Sequence, residues 1–184
     1  NGSKHKIISR WRSYHGATLG ALAASGLPAL CAPFAPWIPD LPKIEPSYPY
    51  RCKFAGCAGT CNLMCADQLE EAILQAGPET VAAFIGEPVV NGGITVSAPH
   101  DDYYPRIREI CDRYDVLFIA DEIITGFGRT GRTFAIEHWD VVPDLIVFGK
   151  GVTAGYIPLG GVLVSDTIRD TIDAYGAFPH VFTY

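Results

Sequence analysis

An acidic and a basic side chain close two apolar runs in the middle of this chain. Asp121 follows the run Val116–Ala120, and Lys150 follows Leu145–Phe148 across a single glycine, Gly149. Short apolar runs bounded by turn residues suit buried strands of a parallel sheet, although periodicity alone does not separate them from buried helix. In open α/β sheets, ligands bind beyond the carboxyl ends of the strands. Two neighbouring strands would then present a carboxylate and an amine to one ligand. A carboxylate beside a protonated ring nitrogen keeps that ring cationic and electron-withdrawing. An amine beside an aldehyde forms a Schiff base.

Pyridoxal phosphate (PLP) needs both groups. The residues around the pair are more specific than the pair itself. DEIITGFGRTG at 121–131, PDLIVFGKG at 143–151 and GYIPLGG at 155–161 closely resemble class III PLP-dependent aminotransferases of fold type I. SYHG at 13–16, GEP at 86–88 and FTY at 182–184 extend the resemblance over most of the chain. The resemblance implies an α/β fold, a mostly parallel sheet with flanking helices. It implies Lys150 as the catalytic lysine that carries PLP and Asp121 as the partner of the ring nitrogen. Tyr14 would stack on the ring with His15 beside it, Glu87 would order the site, and Ile124 would pack against the cofactor. Thr183 would reach the phosphate of the neighbouring subunit's PLP, which implies a homodimer with shared sites.

The activity implied is transfer of an amino group between an amine or ω-amino acid and a keto acid such as pyruvate. Two positions favour that donor class. Gly92 stands where the family often has a glutamate, and Ile124 where many relatives carry a glutamine. Val181 departs from the family's usual glycine. Residues 1–184 are read as the central part of the large PLP-binding domain. The N-terminal segment with its phosphate-binding loop and the small C-terminal domain would lie outside them.

Each of these residues has an ordinary alternative. A tyrosine is most often a core residue, a strand-end glutamate a turn cap, and a lysine between glycines a solvated loop residue. Gly126, Gly128 and Gly131 also match G-x-G-x-x-G, which would make the protein an NAD-dependent oxidoreductase. A dinucleotide fingerprint lies tight against its strand, however, and this one begins five residues after Asp121. The same stretch mimics a P-loop with Arg132 in place of lysine, and arginine holds phosphate differently. A third reading is a non-catalytic fragment unable to hold PLP.

Composition narrows the partners. The 184 residues are 48% hydrophobic and 18% charged, with a net charge of −6 and no basic stripe, so nucleic acid is not an expected partner. Residues 13–39 carry no Asp, Glu, Lys or Arg, but Pro28, Pro33, Pro36 and Pro39 divide the span, and no membrane helix is expected. Cys52, Cys57, Cys61 and Cys65 lack the paired spacing of structural zinc sites and read as thiols of a cytoplasmic enzyme. Strands are expected at Lys6–Ser9, Thr80–Ile85, Val116–Ala120 and Leu145–Phe148. Helices are expected at Gly16–Gly26, Ala66–Gln75 and Pro99–Tyr114, with a long loop over Ala32–Tyr50.

Overall fold

The structure, a computed structural model, describes residues 3–54, 61–91, 93 and 96–175. In chain order the elements are β1 (Lys6–Arg10), α1 (Leu19–Ala24), α2 (Pro28–Cys31), β2 (Lys43–Ile44), α3 (Met64–Ala76) and β3 (Val81–Gly86). They continue with α4 (Tyr103–Arg113), β4 (Leu117–Asp121), β5 (Leu145–Phe148), β6 (Gly161–Val164) and α5 (Asp166–Ala174). The strands form one sheet in the order β2-β1-β3-β4-β5-β6. All neighbours run parallel except β6, which pairs antiparallel with β5.

The expected strands and helices are present, with differences that have local causes. Helix α4 starts at Tyr103 rather than near Pro99. Pro105 has no N–H, and only the first turn of a helix tolerates that without losing a hydrogen bond. The span Ala32–Tyr50 is not all loop: it holds a 3-10 turn (Ala32–Trp37) and the edge strand β2. The helix expected over Gly16–Gly26 is confined to α1, because the chain must leave it to bring Gly26 against β1. A Cβ on Gly26 would lie 2.1 Å from the Arg10 carbonyl oxygen. Gly26 also accepts from Arg12 N at 2.7 Å and donates to Ser13 O at 2.8 Å. Strand β5 is half-buried rather than buried, since β6 beyond it leaves Val162, Leu163 and Val164 exposed.

The core lies between the sheet and the helices α3 and α4. Leu69 and Ile73 of α3, Ile107 and Ile110 of α4, and Phe84 and Phe118 of β3 and β4 are fully buried. Each such side chain contributes about 1.5–3 kcal/mol. Among the described residues, no helix is long and apolar enough to cross a membrane.

The connection from β4 to β5 has no α-helix and is organised instead by one buried carboxylate. Glu122 accepts from Ala135 N at 3.0 Å, Ile136 N at 2.8 Å and the Thr125 hydroxyl. Burial, only partly offset by these donors, raises its pKa above the ordinary glutamate range. Removing the carboxylate orphans two buried backbone donors. Glu122→Ala is therefore expected to destabilise the fold by about 2–5 kcal/mol, read as a lowered urea midpoint. An unchanged midpoint would show that the connection holds itself.

Candidate active site

The sheet brings the sequence-predicted residues together at its carboxyl edge. Tyr14, His15, Glu87, Asp121, Ile124 and Lys150 all line one cleft of about 110 Å³. Four strand ends supply them: β1 leads to Tyr14 and His15, β3 to Glu87, β4 to Asp121 and Ile124, and β5 to Lys150. Thr183, Gly92 and Val181 lie outside the described residues, as does Cys57 of the cysteine cluster.

Asp121 is the last residue of β4 and is 5% exposed. Its Oδ2 lies 2.7 Å from His15 Nδ1, and its Oδ1 accepts from Ile123 N at 3.1 Å. An ionised carboxylate can only accept, so Nδ1 carries the proton in this pair. His15 is oriented in turn by its backbone, whose N–H donates to Ser25 Oγ at 2.9 Å. The other ring nitrogen, Nε2, is buried and has no partner among the described residues.

Glu87 follows β3 and works as a clamp. Its Oε1 accepts from Tyr14 N at 3.0 Å, and its Oε2 from Asn91 N at 2.7 Å. Tyr14, which lines the cleft, remains 39% exposed. The strand-end glutamate is thus not solvated: one oxygen caps the segment that follows it and the other reaches a distant loop. It ties the loop after β1 to the end of β3.

Lys150 opens a 3-10 turn, Lys150–Thr153, at φ +41°. That left-handed conformation is unfavourable for any residue with a Cβ, by about 1–2 kcal/mol. The flanking glycines let the turn pack closely: a Cβ on Gly151 would lie 3.2 Å from the Gly126 carbonyl oxygen. The glycine-rich loop therefore supports the lysine turn. Its own N–H groups are used internally, Gly126 N donating to Glu122 O at 2.8 Å and Gly131 N to Gly128 O at 3.1 Å. A 3-10 turn, Ala135–Trp139, follows rather than the α-helix whose N-terminus would face a pyrophosphate. The dinucleotide reading of Gly126, Gly128 and Gly131 is not supported.

Sequence reasoning passed over Val89, Ile123 and Thr125, which also line the cleft. The two apolar residues bear no chemical signature and could be found only from the fold. Of the remaining cysteines, Cys31, Cys61 and Cys111 are free thiols.

The aminotransferase class-III family model matches residues 1–184. The chain is 44% identical over 181 residues to the putrescine–pyruvate aminotransferase of Pseudomonas aeruginosa, covering 98% of this chain and 40% of that protein. It is 41% identical over 191 residues to the chloroplastic gamma aminobutyrate transaminase 3 of Solanum lycopersicum, covering 98% and 36%. Its backbone superposes with a TM-score of 0.87 on an (S)-enantioselective omega-transaminase from Thermomicrobium roseum, at 43% identity over 99% of this chain and 41% of that one. An omega transaminase from Pseudomonas jessenii in complex with PMP gives a TM-score of 0.84 at 37% identity, covering 98% and 41%. The chain thus spans about two fifths of the length of the relatives it matches. With the family pattern running from the first residue to the last, and its strand-end residues gathered in one cleft, this chain belongs to the class-III aminotransferases.

Proposed function

We propose that the protein is a PLP-dependent transaminase that moves an amino group from an amine or ω-amino acid to a keto acid such as pyruvate. The observation that carries this reading is the convergence of Lys150, Asp121 and Tyr14 on one cleft. The lining fits the cofactor: a buried carboxylate for a ring N–H, an aromatic face for a flat ring, and an amine for an aldehyde. Nε2 of His15, a residue that lines the cleft, is a buried nitrogen without a partner among the described residues. When bound, PLP supplies the aldehyde that takes up the amine and the cationic ring that draws electrons from its α-carbon.

The chain's own residues have separable tasks. Lys150 would hold the cofactor through its Nζ. When that Nζ is free, it would serve as the base that takes a proton from the donor's amine-bearing carbon and as the acid that returns one. Asp121 would accept from the ring N–H and keep that proton in place. Its oxygens already accept from His15 and Ile123, and each keeps a second lone pair for the ring. The carboxylate is thereby aimed before any ligand arrives, and no reorganisation is needed as charge develops. Tyr14 offers the stacking face, while Val89, Ile123 and Ile124 exclude water.

Two observations support the donor class. Ile124 presents only carbon to the cleft, and the relatives named for putrescine and gamma-aminobutyrate use donors with a primary amine distant from any α-carboxylate. The working enzyme is a cytoplasmic homodimer with shared sites. The exposed apolar flank at Tyr156, Ile157 and Val162 supports a further protein surface packing there.

Borohydride reduction in the presence of PLP is expected to fix the pyridoxyl group on the peptide that holds Lys150, with Lys43 and Lys53 clean by mass spectrometry. Scattered or absent labelling would leave the non-catalytic reading in place. Asp121→Asn is expected to keep attachment at Lys150 but to slow amino transfer to pyruvate by about 10²–10³-fold. A variant with full activity would remove Asp121 from the site chemistry.

A further inference from the structure

Arg10 is the largest fully buried side chain of the described residues, at 0% exposure. A buried guanidinium is costly unless its charge and its donors are satisfied. No carboxylate oxygen lies within ion-pair distance of it among the described residues. Its Nη2 donates instead to the main-chain carbonyl of Glu87 at 2.5 Å, and its Nη1 to the hydroxyl of Tyr104 at 3.3 Å. The Tyr104 hydroxyl donates onward to the same Glu87 carbonyl at 2.6 Å. Two donors thus fill both lone pairs of one carbonyl oxygen, and the three groups close a ring of hydrogen bonds.

The guanidinium is closely packed. A Cβ on Gly86 would lie 3.1 Å from the Phe84 ring and 3.4 Å from Arg10 Cζ, so the glycine before Glu87 relieves crowding chiefly against Phe84 and only touches the arginine. Tyr104 is fixed in its turn by stacking on Phe118, centroids 5.7 Å apart with 19° between planes. Burial works against the arginine's charge, but a guanidinium keeps its proton in a protein, and its pKa stays above the ordinary value beside Tyr104, Tyr103 and Glu87.

We propose that Arg10, with Tyr104, is a positioning residue for Tyr14: it holds the Glu87 carbonyl, and the Glu87 carboxylate holds the Tyr14 amide. Glu87 is then gripped at both ends. The main-chain grip decides where its side chain can reach, and that reach sets the register of the Tyr14 loop over the cleft. At its other end Glu87 accepts from Tyr14 and Asn91, which links the Arg10 network to a residue of the cleft. The catalytic meaning of this link rests on the function proposed above; the link itself does not.

Native-state hydrogen exchange on the protein without added cofactor tests it directly. In Arg10→Met, the amides of Tyr14 and Asn91 are expected to exchange about tenfold faster or more, relative to β4 amides in the same sample. Tyr104→Phe, a milder change that removes one donor, should release the same two amides less, and Arg10→Lys should restore part of the protection. Ile107→Ala serves as the control, lowering overall stability without selecting those amides. PLP affinity in the Arg10 series should fall in the order of the amide release. Amides of Tyr14 and Asn91 that stay protected, or that loosen only in step with the whole sheet, would overturn the proposal. Selective release in the Arg10 variants, together with an unsubstituted protein that never attaches PLP at Lys150, would keep the positioning link and sink the transaminase reading instead.

Discussion

A carboxylate taken out of water must find fixed donors, and this requirement organises the working edge of the sheet. Asp121 accepts from His15 and Ile123, Glu122 from Ala135, Ile136 and Thr125, and Glu87 from Tyr14 and Asn91. Most of these donors are backbone N–H groups in connections that would otherwise have no regular partners. Each acid therefore fixes a loop as well as itself. The loop after β1, the connection from β4 to β5 and the segment after β3 are all held to the strand ends in this way.

The same logic explains how adjacent acids divide their work. Asp121 and Glu122 are neighbours in sequence but face opposite sides of the strand end, as the alternation of a strand requires. Asp121 turns to the cleft and keeps hydrogen-bonding capacity open. Glu122 turns to the connection and is saturated by it. One residue is thereby available for a ligand because its neighbour carries the structural burden. Lys150 lines the same cleft from the end of the neighbouring strand, on a turn with an unfavourable φ of +41°, where Gly151 packs closely on the loop at Gly126. Backbone strain of this kind persists only where the surroundings over-determine it.

Much of the fold was legible in the sequence because its central strands are short apolar runs with clear stops, and α3 and α4 have unambiguous helical spacing. What escaped was structure that depends on distant partners. Lys43–Ile44 forms a strand only because β1 lies beside it, and two residues carry no period. Gly161–Val164 forms β6 because it folds back on β5. The start of α4 was legible in principle, since Pro105 marks the first turn. For the site, motifs located Tyr14, His15, Glu87, Asp121, Ile124 and Lys150, but not the chain from Arg10 through Glu87 to Tyr14. Arg10 ends an apolar strand and reads on paper as a solvated terminus.

By itself, the sequence determined the family and the sheet-and-helix class, and it singled out an acid, an amine and an aromatic residue that line one cleft. Those follow from residue types and short-range spacing, which are local properties. Only the tertiary structure decided that Asp121 pairs with His15, that Glu87 clamps two backbone amides, that the glycine loop supports the lysine turn, and that a fully buried arginine holds Glu87 in place. Each of those is a contact between segments far apart along the chain. Such contacts are set by strand order and by the demand that buried polar groups find partners, and no local spacing encodes either.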